Sequence, residues 1–243
     1  MSQRLVFSLR YYNQIFYKYA KTALTLVFFL TLIRLNLFFL STNPQLETAS
    51  FAEVYMSFLT GARFDLLVLG FVLIPVVLGH LAQALSAQWL KLNEVITKVW
   101  LIVFWVLAML LNWIDFYIYH RTGLRARWPD YAEFFYGSLV DFTQQLPFKI
   151  WGLFAFILLL MLGLGIYVIL NPAYGYWKDS YSPQRGTRFE IFMRIVLPLA
   201  LVAVAARGTF EPHHLDYRHS LISNDTRLNE MALNPMWCLD KDN

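Results

Sequence analysis

The chain has 243 residues, of which 58% are hydrophobic, 18% aromatic and only 15% charged, far from the roughly 25% charged residues of a soluble domain. Its formal net charge is only +4 and its basic residues are scattered through apolar stretches, which excludes a nucleic-acid-binding stripe. A single cysteine, Cys238, excludes an internal disulfide and any multi-cysteine zinc site.

Met1 to Lys21 is a basic, tyrosine-rich lead-in of the kind that sits at a cytoplasmic interface. Thr22 to Leu40 is the first predicted span. A bilayer core takes about 20 apolar residues, and this run is too long for the apolar region of a cleaved signal peptide. Arg34 and Asn36 lie in its second half, and Ser41-Thr42-Asn43-Pro44 ends it, because proline cannot continue a helix. Residues 45–60 predict a short helical loop leading to Gly61-Ala62-Arg63-Phe64-Asp65, which stands at the mouth of a second span over 66–85. Pro75 predicts a kink inside that span.

The third predicted span, 99–119, carries Asn112, Asp115 and Tyr119 at spacings of three and four, which puts them on one helical face. Arg121, Arg125 and Arg127 follow. Trp128-Pro129-Asp130 then reads as a helix start. Tyr131, Phe135, Leu139, Phe142 and Leu146 make an amphipathic interfacial helix over 129–146, stopped by Pro147. A fourth span, 150–170, has no charge, and its Gly163 and Gly165 read as close helix packing. After a basic loop with Lys178, Arg185 and Arg188 comes a fifth span, 191–206, closed by Arg207-Gly208. The expected fold is an all-α integral membrane protein: a five-helix transmembrane domain over 1–207, an interfacial helix between the third and fourth spans, and a mostly irregular extracytoplasmic linker tail over 208–243. No internal repeat stands out.

Counting Lys and Arg on the two sides gives a near tie that leans toward a cytoplasmic N-terminus, and most acids then fall outside. With the N-terminus inside and the C-terminus outside, Arg34, Asn36, Arg63, Asp65, Asn112, Asp115 and Arg207 all lie toward the outer leaflet. Ionisable groups within spans cost about 2.5 to 3.5 kcal/mol each on insertion scales, so they find partners or line a site. Arg34 is expected to pair with Asp65 or Asp115. One reading of the set is an outward-opening site for an anionic lipid head group, with Arg34, Arg63 and Arg207 holding phosphate through guanidinium forks. The other is interhelical glue and snorkelling helix ends. The run Glu211-Pro212-His213-His214-Leu215-Asp216-Tyr217-Arg218-His219 contains metal-ligand residue types, but its spacing fits no metal motif, and it reads as a solvated interfacial loop. No nucleophile elbow, phosphate loop, kinase motif set or zinc-protease helix occurs.

Four stretches resemble the membrane half of lipoteichoic acid synthase-like proteins, the membrane-anchored phosphoglycerol transferases of the sulfatase family. They are Gly61-Ala62-Arg63-Phe64-Asp65, Asn112-Trp113-Ile114-Asp115-Phe116-Tyr117, Arg207-Gly208-Thr209-Phe210, and Ser223-Asn224-Asp225 with Asn229-Glu230-Met231-Ala232-Leu233-Asn234-Pro235. The resemblance implies five transmembrane helices, an interfacial helix, and a tail that crosses to an extracytoplasmic domain of alkaline-phosphatase type. That domain carries a threonine nucleophile and Mn or Mg, and moves glycerol phosphate from phosphatidylglycerol to an acceptor. The chain stops at Asn243, where that domain should begin, so no catalytic residue, metal ligand or cofactor is expected in it. The expected partners are membrane lipids, phosphatidylglycerol among them, and an extracytoplasmic catalytic domain or subunit; nucleic acid is not one. The expected location is the bacterial cytoplasmic membrane. Alternatives are a small polytopic transporter or channel component, against which the lack of inverted repeats counts, and the anchor of a membrane phosphoethanolamine transferase.

Overall fold

A computed structural model describes residues 2–40, 50–85, 90–136, 148–171, 188–208 and 217–238. All regular structure among them is helical: α1 (Ser2–Leu40), α2 (Phe51–Leu85), α3 (Leu90–Thr122), α4 (Trp128–Tyr136), α5 (Phe148–Leu170), α6 (Arg188–Arg207), a 3-10 turn (Tyr217–Ser220), α7 (Thr226–Met231) and α8 (Pro235–Cys238). No Gly or Pro interrupts residues 2–40, so the first helix runs unbroken from the lead-in through the predicted span.

The second helix starts earlier than expected. The helical character expected before residue 60 is part of α2 itself, which begins at Phe51 behind a capping box: Ser50 Oγ accepts from the Glu53 amide at 3.3 Å, and the Glu53 carboxylate accepts from the Ser50 amide at 2.9 Å. That box satisfies two of the donors a helix start leaves over. Pro75 lies within this one continuous helix, and the Trp100 indole takes the nearby Val72 carbonyl at 3.0 Å.

Among the described residues four helices are long and apolar enough to cross a membrane, over Tyr19–Phe39, Phe51–Gly79, Leu92–His120 and Gly152–Leu170. The chain is a multi-pass membrane protein. α2 is central: it packs on α1, α3 and α6, while α5 touches α1 and α3. Accordingly 61% of the α2 window is buried against 28% of that in α5, whose Leu153, Phe156, Leu159, Leu160 and Tyr167 point outward where lipid would lie. α3 shows the same division by period. Leu101, Trp105, Ala108, Asn112, Asp115 and Tyr119 are buried on one face, and Val99, Val103, Leu107 and Leu110 are exposed on the other.

Two glycines set close helix contacts. A side chain at Gly70 would run into the backbone of Ala205 and Ala206, so α2 and α6 approach through it, and one at Gly165 would run into the Trp105 ring of α3. α6, of 20 residues, covers the positions of the predicted fifth span but is not among the four helices long and apolar enough to cross. Of the predicted interfacial helix, α4 covers 128–136; residues 137–147 lie outside those described.

Where the sequence predicts a linker tail, residues 217–238 form a strap packed onto the bundle. The 3-10 turn and α7 lie on α2, and α8 lies on α3. Leu228, Met231, Ala232, Leu233 and Cys238 are buried. The apolar residues of this segment fall at helical spacing only in two short stretches, which is why it reads as linker.

Candidate functional site

Two buried ion pairs organise the end of the bundle where the strap lies. Arg34 of α1 donates from Nη1 to Asp65 Oδ2 at 3.0 Å and from Nη2 to Asp65 Oδ1 at 2.9 Å, a bidentate fork between α1 and α2. Arg34 is 3% exposed and Asp65 fully buried. Gly61, one helical turn before Asp65, makes room for the fork: a side chain there would collide with the Arg34 guanidinium.

The second pair joins Arg125 to Asp115 of α3, both buried. Gly123 makes this possible. Its φ of +74° turns the chain at the end of α3, its amide bonds the Tyr119 carbonyl at 2.8 Å, and the chain then doubles back to bring Arg125 beside Asp115. Asp115 Oδ1 also accepts from the Ala126 amide at 2.9 Å. A cation–π contact places the Arg125 guanidinium 5.6 Å from the Tyr119 ring centre. Lone buried charges would be costly, and two complementary pairs with added hydrogen bonds remove most of that cost.

The strap supplies what the two arginines still lack. The Met231 carbonyl accepts from Arg34 Nε at 3.0 Å and from Arg125 Nη2 at 3.2 Å, and the Glu230 carbonyl accepts from Arg125 Nε at 3.2 Å. These are carbonyls at the C-terminal end of α7, where a helix leaves acceptors unpaired and favours cations. The Glu230 carboxylate accepts from the Arg125 amide at 3.1 Å. Ser57 Oγ and Tyr119 Oη donate to the carbonyls of Leu228 and Arg227 at 2.9 and 3.0 Å. Asn234 does two things: its Oδ1 accepts from the Met236 amide at 2.8 Å, capping α8 ahead of Pro235, and its Nδ2 donates to Asp65 Oδ1 at 2.6 Å. Asn229 holds the strap's own loop, accepting from the amides of Ile222 and Ser223 and donating to the Ser223 carbonyl. Asp225 caps α7 through the Arg227 amide.

Of the residues singled out by sequence, the structure brings together Arg34, Asp65, Asn112 and Asp115. Arg34, Asp65 and Asn112 line one small cavity with Arg125 and Asn234, and Asp115 is tied to it through Arg125. Of the two carboxylates expected to pair with Arg34, it is Asp65 that does so. Asn112 donates back to the Ala108 carbonyl at 2.8 Å. Asn36 bonds the Leu32 carbonyl of its own helix, and neither it nor Arg63 or Arg207 lines the cavity. Arg63 is half-buried and Arg207 is exposed at the end of α6. Sequence reasoning missed Arg125, Glu230 and Asn234 as members of the cluster.

Among the described residues no group of three or more His, Cys, Asp or Glu could hold a metal ion. Of the run from Glu211 to His219, residues 211–216 lie outside those described. Outside the spans, burial pushes the Tyr131 hydroxyl of α4 well above the ordinary tyrosine range; it donates to the Leu111 carbonyl at 3.5 Å. Chemically, the cluster is a buried charge network that binds a peptide segment. No protein-family model, curated protein or solved structure matches the chain.

Proposed function

We propose that the chain is the membrane module of a lipoteichoic acid synthase-like phosphoglycerol transferase, lying in the bacterial cytoplasmic membrane with its N-terminus cytoplasmic and its strap extracytoplasmic. α6 is then the fifth span, since its 20 residues give about 30 Å of helix, and α4 with the stretch to 146 lies in the interface. The observation that carries the reading is the clamp on the strap. The Ser223–Asp225 and Asn229–Pro235 blocks, among the stretches that resemble the family, contribute Glu230, Met231 and Asn234 to the buried network.

A simple hydrophobic tether needs no buried charges. Two ion pairs that grip an extracytoplasmic segment fix its position over the outer leaflet, where a hydrolase-like domain, on this polypeptide or another, must meet phospholipid head groups. That domain, and not this bundle, would supply the nucleophile and the divalent metal for transfer of glycerol phosphate from phosphatidylglycerol. Arg34 is engaged by Asp65 and Met231, so its fork is not open to lipid phosphate. The same engagement speaks against a transport pathway, since Arg34 is paired with Asp65, and Asp115 with Arg125, beneath the strap.

The test is transfer itself. Membranes from cells lacking the gene, given Mn²⁺ and phosphatidylglycerol labelled in its terminal glycerol, are expected to lose label transfer and to regain it on complementation. Transfer unchanged by the deletion sinks the proposal.

A further inference from the structure

The strap supplies the remaining partners of the charges buried at this end of the bundle. Arg34 Nε and Arg125 Nη2 share the Met231 carbonyl, Arg125 Nε holds that of Glu230, and Asp65 accepts from Asn234. Lifting the strap would strip three guanidinium N–H groups of their acceptors and Asp65 of a donor together, in a place where water is scarce. We infer that the Arg34–Asp65 pair and the strap Tyr217–Cys238 form one latch: disturbing the pair inside the bundle releases the segment outside it, and lifting the segment unsettles the pair. Such coupling is reciprocal by thermodynamic necessity. It makes the segment above the outer leaflet responsive to events at α1 and α2.

The latch rests shut. Leu228, Met231 and Leu233 are each at most 1% exposed, so apolar packing holds the segment down together with the charges. It is therefore a lock released by perturbation and not a lid that opens spontaneously.

The inference adopts the orientation given under Proposed function, and the experiment separates the two. Cys238 is the chain's sole cysteine, lies at the end of the strap and is 1% exposed, so its rate of labelling by a membrane-impermeant maleimide reports strap release. In right-side-out membranes the native protein should label slowly. Leu228→Asp, which ejects the strap's apolar anchor, sets the fast limit. Asp65→Asn, made within α2, should accelerate labelling at least about tenfold. Arg34→Lys keeps a cation beside Asp65 for insertion but loses the Nε donor, and should also accelerate labelling.

Unchanged labelling in Asp65→Asn and Arg34→Lys beside fast labelling in Leu228→Asp overturns the coupling. So does a native rate as fast as that of Leu228→Asp. If labelling in every variant requires permeabilised membranes, the extracytoplasmic placement fails instead, and the ratio of rates measured after permeabilisation still decides the latch.

Discussion

Arg34 and Asp65 meet between α1 and α2 through two parallel hydrogen bonds of 2.9 and 3.0 Å, and their side chains are 3% and 1% exposed. Removing one partner leaves the other charged and buried. Arg34→Ala or Asp65→Ala should each cost about 3 to 5 kcal/mol of stability. The double variant Arg34→Ala with Asp65→Ala should cost well under the sum, since no charge is then left stranded. Denaturant unfolding in micelles checks this; strictly additive losses contradict a coupled pair.

Gly61 owes its identity to the same fork. Arg34 cannot swing aside, because Asp65 and Met231 hold both ends of its guanidinium, so Gly61→Ala should cost about 1 to 3 kcal/mol through overpacking. In an Arg34→Ala background the same change should be close to neutral. A Gly61→Ala penalty that persists without Arg34 would falsify this account and move the strain elsewhere on α2.

Arg125 serves four acceptors in distinct directions: Asp115, the carbonyls of Glu230 and Met231, and, through its own amide, the Glu230 carboxylate. Lysine offers one compact ammonium in place of a planar fork. Arg125→Lys should therefore keep the pairing with Asp115 and lose the carbonyl contacts, costing about 1 to 3 kcal/mol and raising protease sensitivity at the strap more than within α3. Equal sensitisation of both regions would show that the arginine acts only on Asp115.

Much of this arrangement is legible in the sequence. Apolar runs mark the long helices, and the charge in the first run predicts a pair with Asp65 or Asp115, of which the structure forms the first. The start of α2 was legible too, in Ser50-Phe51-Ala52-Glu53, a capping-box pattern hidden by its polar surroundings. Arg125 is harder to find, since it sits among arginines that read as an interfacial cluster. Charge balance is the available signal: Arg34 can pair with only one of Asp65 and Asp115, so the other needs a second cation. Glu230 and Asn234 carry no local sign at all. Their contacts reach 105 and 169 residues back along the chain, and a polar residue in a polar tail looks solvated until its partners are in place.

Tyr131 gives the fold an alkaline limit of its own. It is 1% exposed, packs in a small cluster with Leu111, Ile114 and Ala126, and burial raises its hydroxyl above the ordinary value near about 10. A raised folded-state value means that the neutral phenol contributes stability in full below about pH 10, and that this is lost as pH climbs beyond the unfolded-chain value. The chain should thus melt at progressively lower temperature above about pH 10. Tyr131→Phe cannot ionise, and it gives up only a long 3.5 Å hydrogen bond worth about 0.5 kcal/mol. Near neutrality the variant should melt close to the parent, and above about pH 10 the two curves should separate with the variant more stable. Because lysines and the other tyrosines titrate in both proteins, the difference between the curves isolates Tyr131. Parallel curves from pH 7 to 11 would mean that α4 leaves its site before the phenol ionises.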